Sequence, residues 1–527
     1  MRFKKVKAFV LSVVIAFFAL SSSQVFARDL VVGLKMEPTS MDPQLISLLT
    51  NLQVSEVMFD TLVGRDANMG LVPRLALSWQ AQGNDWIFNL RPNVKFSDGS
   101  AFTADDVVFT VNRIFALPNR SFAIYLPHFV SVEAVDPLTV KFTLSQPTPL
   151  LPHNLTAVFI LSEQAMSGGT PEGKTTTQLN SGDGLVGTGA YRFISWQRGA
   201  ELVFEPNIHY WGSAPEWNRL RLRPIPNGAS RVAALLSGEV DLIEDPPGDD
   251  LARLRDTRGI RVVIKGPTNR TIFLGLDMGR DDSPGISGTN GVNPLKDRRV
   301  REALSLAINR QALDERIMNG MATPAAQMLP YPMFGTSERY RDVPPADVER
   351  ARALLAEAGF AQGFGIVLST PNGRYINDTK VAEAIAAMWS RIGVRTTVNA
   401  SVMSVFLSKA HALEYSAYIY GWGPLTGEIS NTLVTLAATH DKAQGMGTNN
   451  WGRYSNPAVD RLLEAASAEL DDNRRAALMR EAGELVMADY ALLPIHFEHS
   501  SWAMKDTVNY EGRMDQMTIM QDVFPVH

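Results

Sequence analysis

LALSWQAQGNDWIFNLRPNVKFSDGSAFTADDV, residues 75–107, predicts a strand, a turn and a capped helix in succession. Apolar side chains alternate with other residues along 86–91, which is typical of a strand with one buried face. The pair Asp98-Gly99 is a turn signal. Thr103 then stands three residues before Asp106, the capping-box spacing in which a hydroxyl and a carboxylate accept the unpaired amides of a helix start. Strand, turn and helix therefore follow one another here.

Strand and helix patterns alternate over the rest of the chain. Strands are predicted at 130–135 and 139–144, and the stretch 167–189, rich in Gly, Ser and Thr, is interpreted as a surface loop. Helices are predicted next to capping or stop signals: 230–236 before Gly238, 298–308 after Asp297, 348–358 before Gly359, 381–392 before Gly393, and 458–468 after Asn456-Pro457. This alternation indicates an α/β fold.

The composition excludes several classes of protein. The chain has 527 residues, of which 45% are hydrophobic, so about three domains are expected at roughly 150 residues each. It carries 50 basic and 55 acidic residues, a formal net charge of −5, which provides no broad positive field for nucleic acid. Cysteine is absent, and this excludes disulfides, thiol nucleophiles and cysteine-ligated zinc.

The N-terminus is interpreted as a cleavable secretory leader. Arg2, Lys4, Lys5 and Lys7 precede an apolar run at 8–20, and a small residue, Ala27, ends the segment. The apolar run is shorter than the roughly 20 residues that a membrane-spanning helix needs. We therefore expect cleavage after Ala27 and export of the mature protein.

No catalytic or cofactor-binding pattern is convincing. Gly182, Gly184 and Gly187 match a dinucleotide-loop spacing, but a strand pattern follows at 191–194 where that motif requires a helix. The eight histidines are scattered and form no metal-binding motif, and no nucleophile elbow or phosphate-binding lysine loop is present. We expect no catalytic residues, no metal, no cofactor and no enzymatic activity.

An aromatic strand offers candidate ligand contacts. Residues 415–424 read YSAYIYGWGP and continue into a loop with three polar residues, Thr426, Glu428 and Asn431. Aromatic side chains at a strand end give apolar area with a polar handle, which suits a binding site. The alternative is that Tyr418, Tyr420 and Trp422 form one packed face of a core strand.

The segment 75–107 also carries a family resemblance. The pattern Leu75-Ala76-x-Ser78-Trp79, followed by Phe88-x-Leu90-Arg91-x-x-Val94-Lys95-Phe96-x-Asp98-Gly99-x-x-Phe102-Thr103-Ala104-x-Asp106-Val107, closely resembles the bacterial family-five extracellular solute-binding proteins. That family includes receptors of peptide, opine and nickel importers. Further matching segments lie at 187–191, 238–241, 297–304 and 353–359, so the resemblance covers nearly the whole mature chain.

The resemblance implies a bilobed periplasmic-binding-protein fold with an additional domain. Two α/β lobes joined by crossing strands would close over a ligand and present it to the permease of an ABC importer. By analogy lobe one comprises 28–69, 185–273 and 499–527, the extra domain 70–184, and lobe two 274–498. We expect a periplasmic monomer that binds a peptide or small molecule, an ABC permease in the inner membrane and no nucleic acid.

The resemblance also bears on the site. Peptide-binding members have an aspartate for the peptide's α-ammonium three residues after a Gly-Trp pair, but here Leu425 follows Gly421-Trp422. An ammonium buried without a carboxylate is unfavourable by several kcal/mol. Either Glu428 substitutes, or the solute lacks a free amino terminus. The complete set of predicted ligand-binding residues is Trp422, Tyr420, Glu428, Asn431, Thr426, Lys35, Glu37, Asn51 and Arg270.

Three functions follow as hypotheses. The main one is a receptor for peptide import or for a related small solute. The second is a receptor for a non-peptide solute such as an opine or a sugar phosphodiester, which the residue Leu425 suggests. The third, of a different class, is a secreted hydrolase, for which the sequence offers no positive support. A chemoreceptor role would look the same in sequence.

Overall fold

Two mixed sheets form the frame of the computed structural model, which describes residues 29–526. The predicted leader and its cleavage site lie outside these residues. The first sheet has seven strands, in the spatial order Ile260–Lys265, Ser500–Lys505, Leu242–Glu244, Asp29–Leu34, Arg219–Pro224, Glu201–Pro206 and Tyr191–Gln197. Its central strand, Asp29–Leu34, pairs in parallel with both neighbours. Such pairing requires crossover connections, as in α/β folds.

The second sheet has six strands. Their spatial order is Ala322–Pro324, Leu492–Glu498, Thr271–Leu276, Ala417–Trp422, Phe364–Pro371 and Val394–Ser401. The pair Phe364–Pro371 and Val394–Ser401 is parallel over eight residue pairs, and the helix between these strands packs on them. All six residues of Thr271–Leu276 are buried, as expected for a central strand covered on both faces.

A third, antiparallel sheet contains the strand predicted at 86–91. Its order is Ala76–Gln82, Asp85–Leu90, Thr139–Leu144 and Phe129–Asp136. Phe88 and Phe142 are fully buried on one face and meet edge to face, with ring centroids 5.4 Å apart. Two short ribbons complete the strands: Val63–Arg65 with Leu71–Pro73, and Val508–Asn509 with Phe524–Pro525.

Fifteen α-helices accompany these sheets within residues 29–526. They are Leu49–Met58, Ala104–Ala116, Leu151–Asn154, Glu163–Met166, Thr176–Asn180, Gly228–Ser237, Leu251–Asp256, Arg298–Leu306, Arg310–Leu313, Val348–Glu357, Asp378–Ser390, Met403–His411, Ile429–Leu436, Pro457–Ala468 and Asp472–Ala488. No helix of this part of the chain combines the length and apolar character that a membrane span requires. The combination of these helices with the mixed sheets confirms the predicted α/β fold class.

Most predicted helix ends are found where the capping signals stand. Thr103 and Asp106 form the predicted capping box, and Asp297 and Asn456 each accept an amide of the helix that follows. Gly238 ends its helix with φ 84°, in the left-handed region that favours glycine. The interpretation of 167–189 as a loop without structure is wrong in part, because Thr175 and Gln178 form a capping box that starts the helix Thr176–Asn180.

The chain passes between the two large sheets twice. It leaves the first sheet at Lys265 and enters the second at Thr271, and it returns between Glu498 and Ser500. We call 265–271 and 498–500 the crossing segments. They bond to each other, since the Thr268 amide donates to the Glu498 carbonyl at 3.0 Å and the Glu498 amide donates to the Arg270 carbonyl at 3.1 Å. A short, hydrogen-bonded pair of connections is a geometry that permits hinge motion.

Candidate functional site

A charged cleft lies against the crossing segments and is bordered by both large sheets. Its volume is about 350 Å³. We define the cleft by its lining residues, which are Lys35, Asp245 to Asp249, Arg270, Met321, Arg374 to Asn377, Glu498 to Ser501 and Gln516. Lys35 follows the central strand of the first sheet, and Arg374 follows a strand of the second. The ends of strands in open α/β sheets are common ligand sites.

One wall of the cleft carries a paired lysine. The Lys35 ammonium forms an ion pair with Asp245, and both side chains are about a third to two fifths exposed. The Lys35 amide donates to Glu244 Oε2 at 3.3 Å, and Glu244 Oε1 accepts from Gln53 and Thr518 at 2.6 Å each. This network fixes the backbone at Lys35 and leaves its ammonium at the edge of the cleft.

The opposite wall carries a turn that is tied to a crossing segment. Glu498 Oε1 accepts from the Ile376 amide at 3.0 Å, while its other oxygen lies 3.5 Å from Arg270 Nη1. The Arg374 amide donates to Asp378 Oδ2 at 2.8 Å. The exposed Arg374 guanidinium lies 5.4 Å from the centre of the Tyr375 ring and makes no ion pair with any described residue. The turn thus fixes the backbone of Arg374 and presents its guanidinium at the cleft without a carboxylate partner among the described residues.

A smaller cavity of about 60 Å³ lies beside the loop that carries Leu425. Leu425 is 41% exposed and faces this cavity with Met69, Phe159 and Met517. Arg65 and Arg513 also line it; Arg513 pairs with Asp515 at 2.6 Å. The guanidinium of Arg65 donates to the carbonyls of Met69 and His153 at 2.9 and 3.1 Å. The resemblance assigns an aspartate to this position, but the side chain here is apolar and faces a cavity that two arginines and the carboxylates of Glu56 and Asp515 line.

Tyr420 and Trp422 lie on the strand Ala417–Trp422. Tyr420 is 9% exposed and packs in an aromatic cluster, with its ring centroid 5.0 Å from that of Trp451 and 6.0 Å from that of Phe273. Trp422 is half-buried, and its indole Nε1 donates to Asn431 Oδ1 at 3.2 Å. The burial of Tyr420 agrees with a core position, while the ligand roles of Tyr420, Trp422 and Asn431 stay predictions.

Glu428 is buried in an ion pair. Its carboxylate is fully buried and contacts the guanidinium of Arg475, which is 2% exposed. Ser430 Oγ donates to Glu428 Oε2 at 3.0 Å, and His153 Nε2 lies 3.5 Å from Oε1. Burial raises the pKa of Glu428, and Arg475 opposes that shift. Thr426 is also buried, and its carbonyl lies 2.9 Å from His153 Nδ1.

The remaining predicted residues are divided between the cleft and other places. Lys35 and Arg270 line the cleft together, but Glu37 and Asn51 do not. Glu37 accepts from Trp196 Nε1 at 2.9 Å and from the Gly199 amide at 2.8 Å. Asn51 Nδ2 donates to the Ser40 carbonyl at 3.1 Å. These bonds give Glu37 and Asn51 local structural roles, and their ligand roles also stay predictions.

Sequence reasoning missed several cleft residues. Arg374, Tyr375, Glu498 and Gln516 belong to a turn, a crossing segment and a C-terminal loop, and none stands in a recognisable motif. A signal was available only for Arg374, because Gly373 and Asn377 flank it and mark a turn after a buried strand. Tyr375, Glu498 and Gln516 are brought together only by the way the two large sheets are connected.

The two histidines of the segment 496–499 offer no evident chemistry of their own, although His499 lines the cleft. Burial lowers the pKa of His496 to about 3, so its imidazole is neutral near pH 7. Burial also lowers the pKa of His499, whose Nε2 lies 2.7 Å from Thr323 Oγ1. Between residues 29 and 526, no group of three or more His, Asp or Glu side chains is arranged to hold a metal ion.

Known proteins are similar to this chain in sequence and in fold. The family model described as "Bacterial extracellular solute-binding proteins, family 5 Middle" matches residues 70–444, more than half of the chain. The dipeptide-binding protein of Escherichia coli (strain K12) is 28% identical over 501 residues, which cover 89% of each chain.

Two solved structures have the same fold. HbpA2 from Haemophilus parasuis superposes with a TM-score of 0.79 at 24% identity and covers 95% of this chain and 100% of its own. The periplasmic murein tripeptide-binding protein MppA, in an unliganded open form, has a TM-score of 0.77 at 24% identity, with coverage of 95% and 98%. The bilobed architecture predicted from the sequence is confirmed by these structures, and the chain belongs to the bacterial extracellular solute-binding proteins of family 5.

Proposed function

We propose that this chain is the solute-binding component of an ABC import system and that it binds a peptide or a related small solute in the charged cleft. It acts as a monomer in the periplasm after cleavage behind Ala27 and delivers the solute to a membrane permease. Its lobes are 28–69 with 185–273 and 499–527, and 274–498, and the extra domain is 70–184. Solute is bound stoichiometrically and released unchanged.

The observation that carries the proposal is a cleft at the crossing segments with charged residues from both sheets. A solute that contacts both walls binds the closed form better than the open form. Its differential affinity then shifts the population toward closure. Arg374 supports an anionic group on the solute, since an unpaired guanidinium in a cleft is suited to a carboxylate or phosphate. A peptide provides such a carboxylate at its C-terminus.

The choice of a peptide rests on relatives. The E. coli dipeptide-binding protein and the murein tripeptide-binding protein MppA bind peptides according to their names. The second candidate is a non-peptide solute such as an opine or a sugar phosphodiester. Leu425 favours it, because its apolar side chain cannot form an ion pair with an α-ammonium.

A ligand screen by thermal shift separates the two candidates. A ligand at 100 times its dissociation constant stabilises the folded state by about 2.7 kcal/mol. We expect di- to pentapeptides to raise the melting temperature of the mature protein. Stabilisation by opines or sugar phosphodiesters, with none from peptides, would select the second candidate. Mass spectrometry of each incubated ligand tests for turnover, and a chemically altered ligand would contradict a binding role.

Substitution of Arg374 tests the cleft itself. We expect Arg374→Gln to weaken the binding of carboxylate-bearing ligands about tenfold, because a charge-assisted hydrogen bond contributes about 1.5–3 kcal/mol. Isothermal titration calorimetry measures the change. Lys380→Gln, which removes an exposed positive charge six residues away outside the cleft, is the matched control and should leave the affinity unchanged. Equal affinity of Arg374→Gln and wild type would exclude Arg374 from the site.

A further inference from the structure

A third cavity of about 240 Å³ lies in the part of the chain that contains the six-stranded sheet, and it shares no lining residue with the charged cleft. Three arginines border it, contributed by two helices and a turn. We call this cavity the arginine pocket and define it by Arg298, Arg310, Arg339, Ser305, Tyr340 and Tyr490. Its function is not explained by the solute cleft.

Arg310 forms the buried side of the arginine pocket. Its Nε donates to the Pro494 carbonyl at 2.7 Å, and Nη1 and Nη2 donate to the carbonyl and hydroxyl of Ser305 at 3.1 and 3.0 Å. All of these acceptors are neutral. Among residues 29–526 no carboxylate lies within ion-pair distance of Arg310, and burial lowers its pKa to about 10. Because a guanidinium has five N–H donors, two of them lack a protein acceptor here.

The other two arginines add positive charge at the entrance. Arg339 is exposed, lies 5.5 Å from the centre of the Tyr340 ring and makes no ion pair within the described chain. Arg298 lies 5.1 Å from the centre of the Tyr490 ring and is paired with Glu302 at 2.9 Å. Three cations and one nearby carboxylate leave a net positive pocket.

Arg310 is compared with Arg301, a second buried arginine for which hydrogen bonds within the fold are sufficient explanation. Arg301 is also buried and donates to the carbonyls of Asp489, Leu295 and Lys296, between 2.7 and 3.1 Å. Arg301 has four such bonds and does not line the arginine pocket. Arg310 has fewer bonds, faces a cavity and lies near two other arginines. Arg310 therefore keeps N–H donors that no protein group accepts, at the edge of a cavity.

We propose that the arginine pocket binds a small dianion of the phosphate type. Three arginines line one cavity, and guanidinium groups bind the acceptor oxygens of phosphate in a bidentate manner. At about 240 Å³ the cavity is smaller than the roughly 300–1,000 Å³ typical of pockets for larger ligands. Phosphate fits this size, and Tyr340 lines the same cavity. The pocket acts independently of the solute cleft.

Titration of the mature protein with inorganic phosphate tests the proposal, using ³¹P NMR and calorimetry. We expect saturable binding of one phosphate, weakened about tenfold or more by Arg339→Gln and by Arg298→Gln. Arg341→Gln is the matched control, since Arg341 is exposed two residues from Arg339 and lies outside the pocket, and it should leave binding unchanged. Because Arg339 is exposed, its substitution tests the pocket without loss of fold.

The remaining outcomes decide the location and source of the anion. Loss of phosphate binding in Arg374→Gln with full binding in Arg339→Gln would move the site to the cleft and overturn the proposal, as would a lack of binding at millimolar phosphate. Phenyl phosphate serves as a second probe. Equal binding of phenyl phosphate supports a phosphomonoester as the natural ligand, and exclusion of phenyl phosphate supports free phosphate.

Discussion

Arg475→Met is expected to lower the free energy of unfolding by about 3–5 kcal/mol, because it leaves the buried carboxylate of Glu428 without its counterion. Both side chains of this ion pair are almost completely inaccessible to solvent. Methionine retains much of the length of arginine and keeps an apolar contact with Phe334, over whose ring the guanidinium lies at 4.2 Å. Denaturant unfolding, followed by fluorescence and circular dichroism, measures the loss.

Two further variants control this result. The double substitution Glu428→Gln with Arg475→Met removes both charges, and we expect it to recover most of the lost stability. Arg474→Met removes a neighbouring arginine that is 72% exposed, and it should cost at most about 1 kcal/mol. If Arg475→Met lowered the free energy of unfolding by no more than Arg474→Met does, the ion pair would contribute little to stability. A ligand-binding role for Glu428 would then be favoured.

The pH dependence of Arg475→Met has a definite sign. Burial raises the pKa of Glu428 in the folded protein, and Arg475 is the largest influence in the opposite direction. Without Arg475 the folded pKa rises further above the unfolded value, so the folded state takes up a proton more readily than the unfolded state. The destabilisation is then complete above the raised pKa and relieved as the pH falls below it. The difference from wild type should therefore be smaller at pH 5 than at pH 8.

Local signals in the sequence predicted much of the fold. Two such signals are the capping box of Thr103 and Asp106 and the left-handed Gly238. Each depends on only a few neighbouring residues, so it can be predicted without tertiary information. The helix Thr176–Asn180 was missed because five residues are too few to show an apolar period. The alternation of helices and strands predicted an α/β fold, and the family motifs predicted its two lobes.

The candidate site was less predictable because it depends on distant pairings. Glu428 follows an aromatic strand in a glycine-proline loop, which favoured a ligand contact, but its carboxylate pairs with Arg475, 47 residues away. Glu498 and Ile376 meet across 122 residues and fix the turn that carries Arg374. Neither partner is marked in the sequence, since which side chains face each other is decided by sheet order and register.

We infer that the amino end of a bound peptide extends from the charged cleft to the cavity beside Leu425, so Leu425→Asp is expected to strengthen the binding of dipeptides with a free α-ammonium by about 10- to 100-fold. The new carboxylate would provide the ion pair that this loop lacks, and hydrogen bonds between charged groups contribute about 1.5–3 kcal/mol. Because Leu425 is 41% exposed, the substitution should leave the fold intact. Calorimetry on the mature protein measures the gain, and Leu425→Asn, similar in size but neutral, is the matched control.

The ratio of affinities for a free and an N-acetylated dipeptide isolates this charge effect from any general change at the loop. In the wild type, the apolar Leu425 gives an ammonium no charged partner at this loop, so the N-acetylated dipeptide should bind at least as well as the free dipeptide. Leu425→Asp should reverse that preference, while Leu425→Asn should not. An equal gain for both peptides would mean that no ammonium binds at this loop. Leu425 would then face a part of the ligand other than an amino terminus. We would infer that the wild-type solute has no free amino terminus.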